Sequence, residues 1–220
     1  MREYFHRQIQ LWGEDTQKSL QDKKVLIVGA GGLGSSLGFA LGSSGIGELH
    51  LVDFDDVSLH NIHRQIAFKL GDEGKNKASI NADVIKSRCS FVDVFAYDIK
   101  FDEFIKSAKK FDLIIDATDN IQTRREIDTF AKNSNTPWIY GTAEAFHGQV
   151  AFFDKSSYND SFRAKDHTPA GITAPIVMHI ASLEALIALR YLAGLEVKKD
   201  LLYYLYFNSE GELITQKFKL

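Results

Sequence analysis

Residues 25–65 read VLIVGAGGLGSSLGFALGSSGIGELHLVDFDDVSLHNIHRQ. An apolar strand at 24–28 runs into Gly29-Ala30-Gly31-Gly32-Leu33-Gly34, and a small-residue helix follows at 32–45. A second apolar strand, 48–53, ends on Asp53. Strand, glycine turn, helix and a closing acid make the pattern of a nucleotide-binding unit. Glycine permits a tight turn and a close approach of backbone to phosphate, and the helix N-terminus offers free N–H groups. The acid accepts hydrogen bonds from ribose hydroxyls. The competing reading is that the glycines only let helix and strand pack closely.

Beyond Asp53 the stretch carries groups that an NAD site does not need. Asn61 and Arg64 follow, and then Lys77 within Gly74-Lys75-Asn76-Lys77. Arginine grips phosphate bidentately and lysine acts as a movable point charge, so this excess of cations suits a triphosphate. Further on, Thr118-Asp119-Asn120 follows the apolar strand 112–117. The end of such a strand faces the crevice where open α/β sheets bind ligands. A carboxylate beside a polyphosphate points to Mg²⁺. Asp119 has a second available job, as N-cap of the helix that follows.

Outward from this unit the alternation continues. Helices are expected at 14–22, 75–88, 101–109 and 121–135, and strands at 91–97, 112–117 and 138–142. This is an α/β chain with a doubly wound, Rossmann-like, mainly parallel sheet. From 143 onward the pattern changes to a strand at 146–154, a polar loop at 155–170 containing Pro169, and a long apolar helix at 172–193. A hairpin follows at 201–219, turning on Ser209-Glu210-Gly211-Glu212. The expectation is one domain, with a nucleotide-binding half at 1–142 and an antiparallel extension at 143–220. The chain has 220 residues, 45% hydrophobic and 25% charged, with a formal net charge of −3. That charge argues against electrostatically driven nucleic-acid binding. Cys89 stands alone, so there is no disulfide framework within the chain. No apolar run reaches membrane-spanning length and Met1-Arg2-Glu3-Tyr4 opens no signal peptide, which implies a soluble, cytoplasmic protein with no membrane partner.

Taken together these pieces resemble the ThiF/MoeB/HesA family, bacterial relatives of ubiquitin-activating enzymes. The resemblance rests on Phe5-His6-Arg7-Gln8-Ile9, the glycine turn, Asp53-Phe54-Asp55, Ser58-Leu59-His60-Asn61-Ile62-His63-Arg64-Gln65, Gly74-Lys75-Asn76-Lys77 and Ala117-Thr118-Asp119-Asn120. Gly148-Gln149 and Ala174-Pro175 add to it, and it covers nearly the whole chain. It implies adenylation. ATP and the C-terminal Gly-Gly carboxylate of a ubiquitin-like sulfur carrier, ThiS-like or MoaD-like, give an acyl adenylate and pyrophosphate. By position, the resemblance puts Gly29, Gly31, Gly32, Gly34, Asp53, Asp55, Asn61, Arg64, Gln65, Lys77, Asp119 and Asn120 around the nucleotide. Asp119 holds Mg²⁺, and Arg64, Lys77 and Asp119 serve the chemistry. Arg7 resembles the arginine that reaches into a partner subunit's site, which implies a homodimer; read alone, Arg7 is a surface residue of an N-terminal helix.

Two departures narrow the reading. Many relatives carry two Cys-x-x-Cys pairs for zinc, whereas residues 154–161 read DKSSYNDS. Asp160, Asp166 and His167 have the wrong spacing to replace those pairs, so no zinc site is expected. Many relatives also carry a cysteine in the loop before Ala170-Gly171-Ile172-Thr173, close to where His167 stands. Histidine cannot hold sulfur, and Cys89 reads as a buried small hydrophobe. The expectation is adenylation without an enzyme thioester. Rival readings are adenylation of a peptide or RNA-linked carboxylate, a catalytically silent partner subunit, and an NAD-dependent reductase.

Overall fold

A computed structural model describes residues 1–107, 109–163 and 170–220. Two short helices, α1 (His6–Trp12) and α2 (Glu14–Ser19), lead into the sheet. They are separated by Gly13 at φ 85. The helix expected at 14–22 is therefore shorter. Its last turn, Leu20–Asp22, tightens to 3₁₀ because Lys23 is already extended toward the first strand.

The alternating half follows: β1 (Lys24–Val28), α3 (Gly32–Gly42), β2 (Glu48–Val52), α4 (Lys77–Arg88), β3 (Asp93–Tyr97), α5 (Phe101–Phe104), β4 (Leu113–Asp116), α6 (Ile121–Ser134) and β5 (Trp138–Glu144). The remainder is β6 (His147–Phe153), α7 (Tyr158–Ser161), α8 (Ala174–Leu192), β7 (Leu201–Phe207) and β8 (Leu213–Lys219). All eight strands form one sheet in the order β3-β2-β1-β4-β5-β6-β7-β8. β1 to β5 pair in parallel, and β6, β7 and β8 pair antiparallel. The Rossmann-like sheet with antiparallel C-terminal strands is as expected. β1 has β2 on one side and β4 on the other, so the chain reverses its direction of sheet growth there. That reversal opens the ligand crevice.

The central strands read as continuous apolar runs because helices bury both faces. Val25, Ile27, Leu49, Leu51 and Ile115 pack beneath α3, α4 and α8. Leu26, Val28, Ile114 and Trp138 pack against α5 and α6. Gly38 and Gly42 let α4 close on α3, since a Cβ at either would overlap Asn81 or Ile85.

Three expectations need correction. The helix expected at 101–109 is one α-turn followed by a 3₁₀ turn, Ile105–Ser107, because burying Phe101 and Phe104 takes only that span. The loop expected at 155–170 contains α7. Asp128 of α6 caps it from outside, accepting from Ser157 Oγ (2.7 Å), Tyr158 N (3.0 Å) and Asn159 N (3.3 Å). Asp166, His167 and Pro169 lie outside the described residues. Finally, α8 is long and apolar enough to cross a membrane by length and composition. His179, Ser182, Glu184 and Arg190 interrupt its apolar run without undoing its apolar average. Its Val177, Ile180 and Ala185 are part of the core under the sheet.

Candidate nucleotide site

At the carboxyl end of β1 the chain turns through Gly29 at φ 95, whose N–H donates to Val52 O (2.8 Å). A Cβ here would lie 2.6 Å from Ala117 O and 3.2 Å from Thr118 N. The glycine turn therefore touches the end of β4 directly. A Cβ on Gly34 would overlap Gly29 O, and one on Gly32 would lie 2.9 Å from Val177 of α8. Gly31 is the N-cap of α3 and brings no side chain to the helix end. The first N–H groups of an α-helix have no partner within it. Here no cap covers them, and their partial positive charge faces the crevice, as an anion requires.

Asp53 closes the turn from β2. Its Oδ2 accepts from Ala30 N (2.7 Å) and its Oδ1 from Asp55 N (2.8 Å). Burial holds this carboxyl above the usual aspartate range, and the two N–H groups oppose that shift. Asn76 braces the same loop, donating to Asp53 O (2.9 Å) and capping α4 through Ser79 N (3.0 Å). Lys77, the first residue of α4, is buried and its Nζ meets Asp55 Oδ2 at 2.9 Å. The phosphate cation expected at Lys77 is thus paired, and Asp55 orients it.

Asn61, Arg64 and Gln65 sit on the connection between β2 and α4. Asn61 is buried and its Oδ1 accepts from Ser58 N (3.2 Å). Arg64 Nη1 donates to His60 O (3.0 Å) and lies 3.0 Å from His63 Nε2. Gln65 is brought to the turn itself, with its Nε2 3.3 Å from where a Cβ on Gly31 would stand. Its Oε1 is buried with no hydrogen-bond partner among the described residues.

The end of β4 decides between the two jobs open to Asp119. Asn120 is the cap of α6, accepting from Thr123 N at 2.9 Å. Asp119 is exposed, and no hydrogen bond or ion pair engages it among the described residues. Just below, the fully buried Asp116 accepts from Thr118 N (2.9 Å) and Thr118 Oγ1 (2.6 Å), and pairs with Arg124 Nε (3.0 Å). Burial is the largest single influence on Arg124 and opposes its charge, but Asp116, by charge and hydrogen bond, together with Tyr140 and Tyr158 holds the guanidinium above its usual range. Arg124 Nη2 donates onward to Thr118 O (2.6 Å) and Gly141 O (3.3 Å). On the sheet's other face, Glu184 of α8 lies against Gly141, fully buried with both oxygens unpartnered among the described residues. Burial, and then the charge of Asp116, keep its carboxyl well above the usual glutamate value.

Sequence patterning misses both Arg124 and Glu184. Arg124 lies in the first turn of α6 and reads as polar surface. The available signal for Glu184 is a lone acid inside an apolar helix.

Arg7 is not brought to this crevice. It is exposed on α1 and donates to Gln10 Oε1 (3.2 Å). Its neighbour Gln8 bonds Ser44 O (3.0 Å), just past the far end of α3. At 1.5 Å per residue, the 11 residues of α3 put about 16 Å between that end and the glycine turn. Cys89 is buried and free, as expected. It closes the end of α4 opposite Lys77. Asp160 is exposed and faces Lys132 at 3.7 Å.

The arrangement fits a nucleotide and a divalent cation on its own terms: an uncapped helix end, a buried acid closing the turn, and beside them an exposed carboxylate with no partner among the described residues. Mg²⁺ commonly uses one or two carboxylates together with phosphate oxygens. A family model described as the ThiF family matches residues 5–220. The adenylyltransferase and sulfurtransferase MOCS3 of Caenorhabditis briggsae is 32% identical over 214 residues, covering 91% of this chain. The chain spans 53% of that relative's length. The sulfur carrier protein ThiS adenylyltransferase of Escherichia coli K12 is 32% identical over 193 residues, 83% of this chain and 77% of the relative. Among solved structures, the crystal structure of PaaA superposes with a TM-score of 0.84 at 24% identity, covering 99% of this chain and 73% of that one, which speaks to the fold alone.

Proposed function

Because this chain belongs to the ThiF family, we propose that it is an ATP-dependent adenylyltransferase acting on the C-terminal Gly-Gly carboxylate of a ubiquitin-like sulfur carrier, ThiS-like or MoaD-like. The observation that carries the reading is the free Asp119 carboxylate beside the uncapped N-terminus of α3. The two are joined by the contact of Gly29 with Ala117 and Thr118. An NAD site has no use for that carboxylate.

Residues 1–142 hold the nucleotide. The first N–H groups of α3 receive phosphate, Asp53 orients the ribose, and Asn61, Arg64, Gln65 and Lys77 line the phosphate side. Asp119 and the phosphates would hold Mg²⁺, which supplies charge neutralisation as two anions approach. A carboxylate oxygen of the carrier attacks the α-phosphorus. A new O–P bond forms, the bond to the bridging oxygen breaks, and pyrophosphate leaves. The protein's own share is positioning and fixed positive charge. Residues 143–220 supply the antiparallel extension, the crossover loop and the dimer helix α8. Arg7 lies remote from its own crevice, so its part in the reaction is played in a second copy's site. The enzyme works in the cytoplasm as a homodimer and needs no zinc.

No enzyme thioester forms. Cys89 and Lys77 terminate opposite ends of α4, and 12 residues at 1.5 Å each separate them by about 18 Å. The test is ATP–pyrophosphate exchange stimulated by candidate carriers ending in Gly-Gly. Asp119→Ala should lower exchange about a hundredfold or more, while Cys89→Ser leaves it unchanged. Full exchange by Asp119→Ala would end this reading.

A further inference from the structure

We propose that Arg124 is a positioning residue for the metal carboxylate: from inside the fold it pins both neighbours of Asp119, so that this side chain stands ready for Mg²⁺ before any ligand arrives. The inference rests on the adenylyltransferase reading of Asp119 and goes one residue deeper.

On one side of Asp119, the Thr118 carbonyl accepts from Arg124 Nη2 (2.6 Å), while its N–H and hydroxyl are held by Asp116. On the other side, the Asn120 carbonyl accepts from the backbone N–H of Arg124 (3.1 Å), while its side chain caps α6. One residue thus bonds both flanks of Asp119, by side chain and by main chain. The same guanidinium reaches Gly141 O on β5 and lies 5.1 Å over the Tyr140 ring. The turn is thereby fixed to two strands at once. Asp119 has no restraint of its own among the described residues.

A buried ion pair is a weak device for stability as such. Here the guanidinium does something a simple counter-ion to Asp116 would not: it also donates past the carboxylate to the carbonyls of Thr118, next to Asp119 in the chain, and of Gly141 on β5. Only a planar fork can satisfy Asp116, Thr118 and Gly141 together; a lysine keeps the charge but not the directions. Partners behind a metal ligand typically change metal affinity by about 10–100-fold when lost.

Arg124→Lys tests this with Mg²⁺ titrated against protein saturated with a non-hydrolysable ATP analogue, and with the same analogue bound in EDTA. The expected result is about 10–100-fold weaker Mg²⁺ binding, with unchanged analogue affinity in EDTA. In an Asp119→Ala background Arg124→Lys should add nothing, because both act through one carboxylate. Equal losses with and without metal, an additive loss in the double variant, or no loss of Mg²⁺ affinity would each overturn the proposal. Should Arg124→Lys lack a cooperative thermal transition, the neutral pair Asp116→Asn with Arg124→Gln is judged by the same criteria. If Asp119→Ala weakens Mg²⁺ and Arg124→Lys does not, only the role of Arg124 falls. If Asp119→Ala leaves Mg²⁺ binding intact, the reading of the site falls with it.

Discussion

The β1–α3 turn and the β4–α6 turn lie side by side at the carboxyl end of the sheet, and they finish their helices in opposite ways. The first leaves α3 uncapped: Gly31 has no side chain to offer, a Cβ on Gly34 would overlap Gly29 O, and one on Gly29 would press on Ala117 O of the neighbouring turn. The second closes α6 with Asn120 and seats the turn on the buried Asp116–Arg124 pair. The same strand–turn–helix unit thus serves two purposes. Left open, its N–H groups are free for an anion. Closed and braced, it presents one free carboxylate, Asp119, for a cation. In the proposed function, the crevice between these two turns takes a metal–polyphosphate from both sides.

That contrast can be broken from either turn. The largest effect is expected at the braced one. Asp116→Ala leaves the Arg124 guanidinium buried and unpaired, which should lower stability by about 3–5 kcal/mol, read as a lower midpoint in denaturant unfolding. Gly34→Ala at the open turn forces the new Cβ into Gly29 O. A loss of about 1–3 kcal/mol is expected, and nucleotide affinity should fall with it in calorimetry.

The next effect depends on pH. Burial keeps the Glu184 carboxyl well above its usual value of 4.5, so the folded state holds a proton that the unfolded chain releases. Stability contributed by this site is therefore complete below about pH 4.5 and declines as pH rises through the folded-state value. Glu184→Gln cannot lose that proton. It should match the parent in acid and exceed it increasingly toward pH 8 in urea-unfolding midpoints. A constant difference across that range would show that Glu184 is solvated or partnered. The smallest effect is expected from Asn120→Ala, which opens the α6 terminus at a cost of about 1 kcal/mol. Its thermal midpoint should drop by a few degrees.

The open turn is legible in sequence because its chemistry is contiguous. Six residues from Gly29 to Gly34 carry the pattern, and Asp53 follows at the end of the next strand. The braced turn is only half legible. Thr118-Asp119-Asn120 marks its place, but three polar side chains in a row leave open which one caps and which one stays free. Arg124 is invisible to patterning because its partners, Asp116 and Gly141, stand on two different strands. The capped helix α7 hides for the same reason: its cap, Asp128, comes from α6.

By itself the sequence determined the strand–helix alternation, the parallel half with its antiparallel extension, the nucleotide turn and the resemblance to the ThiF/MoeB/HesA family. These follow from periodicity, from backbone freedom at glycine and from motifs whose residues are near neighbours in the chain. Tertiary structure decided that Asn120 caps while Asp119 does not, that Lys77 is paired with Asp55, that Arg7 lies at the far end of α3, and that Glu184 is buried without a partner among the described residues. Each of these depends on which groups from distant segments meet and how much water is excluded between them. Local sequence does not encode those quantities, because burial and partnership exist only once the sheet and its helices have packed.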